Sequence, residues 1–228
     1  MNYVVEPSGT PSVEVSGTSD RFPVHRIYCV GRNYAAHVRE MGKDPNREPP
    51  FFFSKPADAV VENGAEISYP LETKNFHHEI ELVVAIGKAG SNIGEADVHD
   101  HIFGYAVGND LTRRDLQLEA RDKGRPWTTG KYFDNSAPIS AIRPVAEVGH
   151  PEKGRIWIKV NGDIRQDGDL AELIWDVREV VSILSTLYRL EPGDLIYTGT
   201  PAGVGPVVAG DVMEGGIEGV GELTTTIV

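Results

Sequence analysis

The chain has 228 residues, 40% of them hydrophobic and 25% charged, a balance that excludes disordered, coiled-coil and fibrous classes and leaves an ordinary globular protein. Its 22 basic against 34 acidic residues give a formal charge of −12, which disfavours nonspecific attraction to phosphate backbones and anionic lipid. No segment reaches the ~18 consecutive apolar residues of a membrane-spanning helix, so neither nucleic acid nor a membrane is expected as a partner.

The first twenty residues are rich in Ser, Gly, Thr and Pro and lack a basic start followed by an apolar block. Residues 1–24 are therefore expected to form an extended N-terminal arm. His25 to Val30 follows as a strand, and the single cysteine, Cys29, lies within its apolar run. A lone cysteine cannot close an internal disulfide, and its setting fits a buried residue in a reducing cytoplasm. Tyr34 to Met41 reads as a short helix ending near Gly42, too short to be stable without tertiary support.

Ile80 to Ile86 and Phe103 to Gly108 are strands by their β-branched and aromatic content. Leu111 to Asp122 reads as a helix for which Asp110 is a candidate cap. Arg155 to Val160 leads into Asn161-Gly162 and a second extended run, the preferred chemistry of a type I′ hairpin. In Val177 to Tyr188, after a candidate cap at Asp176, the residues Val177, Val180, Val181, Leu184 and Tyr188 share one face, as in a packing helix. Leu195 to Thr198 is a further strand, and from Val207 onward glycines alternate with short apolar runs, as turns between short strands require. Without regular βαβ alternation or a linker, the pattern predicts a β-rich α+β protein with residues 25–228 as a single domain.

The chemistry centres on His78-Glu79-Ile80-Glu81-Leu82. Two carboxylates spaced by two on a strand point to one face and could hold one cation together. A lone Glu-x-Glu is more often a solvated stripe, but Val83 and Ala85 continue the same face and make that reading less natural. Asp110, at the end of a strand, either caps the following helix or brings a third carboxylate to the first two. Three carboxylates without Cys or clustered His ligands favour a hard divalent ion, Mg²⁺ or Mn²⁺.

His37 and Glu40 are three apart and share one face of their short helix, where a carboxylate can orient an imidazole for base catalysis; taken alone, the two are more simply read as an incidental pair on a polar surface helix. Arg114 and Gln117, also three apart, could jointly contact a carboxylate. Lys131 follows Gly130 and carries little weight by itself. The loop Thr198-Gly199-Thr200-Pro201 offers amides and hydroxyls to an anion, without the Lys-Ser/Thr ending of a Walker loop.

Taken in order, Gly31-Arg32-Asn33-Tyr34, Phe53-Ser54-Lys55-Pro56, His78-Glu79-Ile80-Glu81-Leu82, Asp110-Leu111-Thr112-Arg113-Arg114-Asp115-Leu116-Gln117, Gly130-Lys131 and Thr198-Gly199-Thr200-Pro201 resemble the fumarylacetoacetate hydrolase family, particularly its compact acylpyruvate and fumarylpyruvate hydrolases. The resemblance runs from about His25 to the C-terminus. It implies the family's mixed β-sandwich roll, a homodimer, and metal ligation by Glu79, Glu81 and Asp110. It further implies that Arg32, Arg114, Gln117 and Thr200 line a substrate pocket, that Lys131 is a catalytic lysine, and that His37 and Glu40 sit on a mobile lid. The implied activity is hydrolysis of a small anionic 2,4-diketo acid, with fumarylpyruvate preferred. Other acylpyruvates, oxaloacetate decarboxylation and a non-catalytic ligand-binding module stand as alternatives.

Overall fold

The computed structural model describes residues 3–35 and 48–228. The expected helix from Tyr34 to Met41, with His37 and Glu40, therefore falls mostly outside the described residues.

The central six-stranded sheet runs, edge to edge, through Arg143–Pro144, Ile102–Asn109, Ile80–Ile86, Asp194–Tyr197, Arg26–Gly31 and Phe51–Lys55. Its strands pair antiparallel except Asp194–Tyr197 with Arg26–Gly31, so the sheet is mixed. A second, five-stranded sheet is formed by Asp163–Asp169, Arg155–Val160, Val212–Ile217, Gly221–Ile227 and Glu66–Ile67. Thr112–Arg113, Phe76–His78 and Gly205–Val207 make a small third sheet. The architecture is thus β-rich α+β with mixed sheets, as expected.

Every residue of Ile80–Ile86 is buried, because both faces of this strand are covered. Leu82, Val84 and Ile86 enter one core cluster together with Val180, Val181 and Leu184 of the helix Val177–Leu187. Val83 and Ala85 enter the other. Covering on both sides explains why the segment reads as a continuous apolar run. The second cluster includes Val13 and Phe22, from a hairpin pairing Ser12–Glu14 with Arg21–Pro23, so this part of the expected extended arm instead folds back and packs against the body, where its apolar side chains are buried.

Local turn and cap chemistry follows the sequence closely. Asn161 and Gly162 have φ of 53° and 85°, the two positive values that a type I′ hairpin demands. Asp176 caps its helix in a reciprocal box: its Oδ1 accepts from Glu179 N–H at 2.9 Å, while Glu179 Oε2 accepts from Asp176 N–H at 3.0 Å. Tyr188 leaves the expected apolar face. It is the extended C-cap residue, half exposed, with its ring 5.1 Å from that of Tyr28.

The other expected helix starts later than its sequence suggests, at Arg114 rather than Leu111. Thr112 and Arg113 are instead strand residues paired with His77 and Phe76. Asp110 is not the cap, since the N-cap is Arg113 and no side chain caps it. Strand pairing engages the two residues before the helix, and the Asp110 carboxylate pairs with two buried lysines instead.

Candidate active site

Glu79 and Glu81 arrive at the start of the Ile80–Ile86 strand, and Asp110 comes just after Ile102–Asn109, its antiparallel neighbour. Antiparallel pairing lays the beginning of one strand beside the end of the other, with Ile80 opposite Asn109, so the three carboxylates converge. One ligand atom from each lies within 4.8 Å of the others, and all three residues are buried. This donor set is oxygen-only, as a hard divalent cation requires.

Cations are interleaved with these anions. Lys131 Nζ donates to Glu79 Oε2 at 2.7 Å, to Asp110 Oδ2 at 2.6 Å and to Thr112 Oγ1 at 2.6 Å. Burial pulls the Lys131 pKa down, but Asp110 and Glu79 outweigh it and the net shift is upward, so the ammonium stays charged. Arg114 Nη2 pairs with Glu79 Oε1, and its Nη1 donates to Gln117 Oε1 at 3.2 Å. Lys55 Nζ pairs with Asp110 Oδ1 at 2.8 Å and also donates to the carbonyls of Leu111 and Lys131 at 3.0 and 2.8 Å. Asp110 Oδ1 is buried with the Lys55 ammonium as its ion-pair partner, though without a well-aligned hydrogen bond, and is an acceptor suited to a cation.

Glu81 accepts from Gly199 N–H at 2.8 Å. Burial, reinforced by the neighbouring Asp110 and Glu79, pushes its pKa well above the usual carboxylate range. Such a carboxyl tends to keep its proton until a cation compensates its charge.

The loop carrying Gly199 and Thr200 is held from two sides. Asn33 Nδ2 donates to the carbonyls of Thr198 and Trp175 at 2.8 and 2.9 Å. Gln166 Nε2 donates to Thr200 Oγ1 at 2.7 Å and to Pro201 O at 2.8 Å, while its Oε1 accepts from Ile80 N–H at 3.1 Å and from His78 Nδ1 at 2.9 Å. Burial lowers the His78 pKa and, with help from Arg114, brings that of His77 down to about 4. Both rings are therefore neutral at pH 7.

One pocket gathers Arg32, Glu79, Glu81, Asp110, Arg114, Gln117, Lys131 and Thr200, all the expected site residues that fall among the described ones. Arg32 has φ 62°, a left-handed conformation uncommon for a non-glycine residue and one often found at functional sites. Sequence reasoning gave no site role to Arg121, Trp127 and Phe53, which also line the pocket, or to Lys55 and Gln166 behind it, although Phe53 and Lys55 lie within a quoted family marker. For Lys55 there was a signal, a lysine directly after Phe51-Phe52-Phe53-Ser54 in a strand. Gln166 had none, because a glutamine on a polar strand looks like any solvated residue.

The family description "Fumarylacetoacetate (FAA) hydrolase C-terminal" matches residues 26–228. A fumarylpyruvate hydrolase of a Ralstonia species is 51% identical over 184 residues, covering 81% of this chain and 95% of the relative. The mitochondrial oxaloacetate tautomerase of Homo sapiens is 45% identical over 198 residues, 87% of this chain and 89% of the relative. Among solved structures, a fumarylpyruvate hydrolase from Pseudomonas aeruginosa in complex with Mn²⁺ and pyruvate aligns with a TM-score of 0.98 at 53% identity, covering 100% of this chain and 99% of that one.

Proposed function

Because this chain belongs to the fumarylacetoacetate hydrolase family, we propose that it hydrolyses a carbon–carbon bond of 2,4-diketo acids, with fumarylpyruvate and water yielding fumarate and pyruvate. The observation that carries this reading is the cluster of three buried carboxylates, Glu79, Glu81 and Asp110, in a pocket shared with Lys131 and Arg114. The name and the Mn²⁺–pyruvate complex of the Pseudomonas aeruginosa relative support it.

Glu79, Glu81 and Asp110 would hold Mg²⁺ or Mn²⁺, which when bound supplies Lewis-acid polarisation of the pyruvyl oxygens. Arg114, Gln117 and Thr200, with Arg32, orient the substrate's carboxylate and carbonyl oxygens. His37, oriented by Glu40, takes a proton from water as that water attacks the distal carbonyl. Collapse of the resulting tetrahedral adduct breaks the bond between the distal carbonyl carbon and the methylene, releasing fumarate, and the methylene carbon takes a proton to become the methyl of pyruvate; Lys131 either stabilises the developing negative charge or delivers that proton. In the same reading, residues 25–228 are one catalytic unit behind the arm of residues 1–24, the assembly is a homodimer and the compartment is the cytoplasm.

The oxaloacetate tautomerase relatives favour enol chemistry on oxaloacetate as a second reading, since an enolate-stabilising site serves that reaction without a nucleophilic water. The deciding experiment follows pyruvate release from fumarylpyruvate, and tautomerisation and decarboxylation of oxaloacetate, with Mg²⁺, Mn²⁺ or chelator. In parallel, Mn²⁺ is titrated calorimetrically into Glu79→Ala, Glu81→Ala and Asp110→Ala. Chelator should abolish pyruvate release, and each substitution should weaken Mn²⁺ binding by at least ~10–100-fold. Parental affinity in all three variants removes the metal assignment, and turnover of oxaloacetate alone removes the hydrolase.

A further inference from the structure

The helix Arg114–Asp122 carries anion-seeking side chains along one wall of the pocket. Arg114, Gln117 and Arg121 are spaced by three and four residues, so they fall on one helical face, and all three line the pocket. They differ in depth, because the side chain of Arg114 is 6% exposed and that of Arg121 is 28% exposed. Arg114 is committed to Glu79 and Gln117 at the carboxylate cluster. Arg121 thus stands nearer the mouth, about 10 Å further along the helix axis.

Its ion-pair partner is the adjacent Asp122, at 2.8 Å, whose side chain is 65% exposed. An exposed pair of this kind is weakly held and exchanges readily for a better-placed carboxylate. A second guanidinium, that of Arg32, lies 5.7 Å from the Trp127 ring centroid and lines the same pocket. In a chain of net charge −12, two guanidiniums in the pocket besides the one engaged with Glu79 mark a place for an additional anionic group.

We propose that Arg121 is a specificity-determining residue that receives the far carboxylate of a dianionic substrate and selects keto diacids of about seven carbons over monoacids of the same length. An extended seven-carbon chain spans roughly 7.5 Å between its terminal carbons, from six zigzag bonds of ~1.5 Å. Carboxylate oxygens at both ends bring that span close to the ~10 Å of helix rise between Arg114 and Arg121. A four-carbon diacid held at the inner end reaches roughly half as far, so the residue also separates long diacids from short ones.

The test uses the Mn²⁺-loaded full chain and calorimetric titration with 2-oxoheptanedioate and 2-oxoheptanoate, which lack the second keto group and are not cleaved. The parent should bind the diacid at least tenfold more tightly; Arg121→Gln should reduce that preference below threefold, and Arg121→Lys should restore part of it. Equal affinity of the parent for both ligands, or a tenfold preference retained in Arg121→Gln, overturns the assignment. A parallel loss for both ligands in the variant reveals a structural role and overturns it as well. The choice of substrate rests on the proposed hydrolysis, but the binding test does not. A parent that shows the preference yet releases no pyruvate from fumarylpyruvate keeps the Arg121 assignment and removes the reaction.

Discussion

Gly199 N–H donates to Glu81 Oε2 at 2.8 Å, which ties the loop after the Asp194–Tyr197 strand to the carboxylate cluster. The donor is placed by a backbone that only glycine adopts comfortably, with φ 103°. A Cβ there would meet Asn33 Cβ at 2.7 Å, and Asn33 holds this same loop by its amide.

Gly199→Ala should therefore act on stability and site together. Strain at positive φ and the Asn33 clash should cost about 1–3 kcal/mol, read by denaturant unfolding. Displacement of the amide should weaken Mn²⁺ binding roughly tenfold. A variant with parental affinity in calorimetry would show that the Glu81 hydrogen bond has no part in shaping the cluster.

Glu81 contributes a pH-dependent part of the metal-free protein's stability. Its folded pKa lies well above the unfolded value of about 4.3. Between the two, the folded state binds more protons than the unfolded state, so this group's contribution to stability declines as pH rises. Glu81→Gln should be more stable than the metal-free parent at pH 7, the gap closing as pH falls toward 4. Thermal unfolding across that range measures it, and an unchanged gap at every pH contradicts the shift. The parent's Mn²⁺ affinity should fall with decreasing pH, since protons and metal compete for the same oxygens.

Lys131→Met removes the ammonium that bridges Glu79 and Asp110 and leaves two buried carboxylates short of a partner. If Lys131 acts in the proposed catalytic role, its loss should lower kcat by ~10²–10⁴. The metal-free variant should be less stable than the parent, and Mn²⁺ should recover part of that difference because it stabilises the folded state by binding. Arg114→Ala should instead reduce kcat/KM by more than it reduces Mn²⁺ affinity, since its proposed partner is a substrate oxygen. Equal kcat/KM in parent and Arg114→Ala rejects that role.

His37→Ala separates hydrolysis from the other enolate chemistry. If His37 activates water, fumarylpyruvate hydrolysis should fall by ~10²–10⁴ while Mn²⁺ affinity persists, because the proposed ligands are Glu79, Glu81 and Asp110. Glu40→Gln should show a milder form of the same defect through poorer orientation of the imidazole. Near-parental turnover in His37→Ala defeats this assignment, and the water then needs another activator.

Local features were legible in the sequence because their causes are local. The Asn161-Gly162 turn, the Asp176–Glu179 capping box and the doubly covered Ile80–Ile86 strand each follow from residue types a few positions apart. The spacing of Glu79 and Glu81 on one strand already aimed both carboxylates the same way. The sequence left Asp110 open between a helix cap and a third site carboxylate, because the two look alike until its distant neighbours are known. Only the tertiary structure decided between them, by bringing Lys55 and Lys131 to Asp110 from 55 positions before it and 21 after it, while strand pairing of Thr112 and Arg113 with His77 and Phe76 leaves the helix to start at Arg114. Gln166 and Arg121 were hidden for the same reason. Their significance lies in what long-range packing places beside them, which no spacing along the chain encodes.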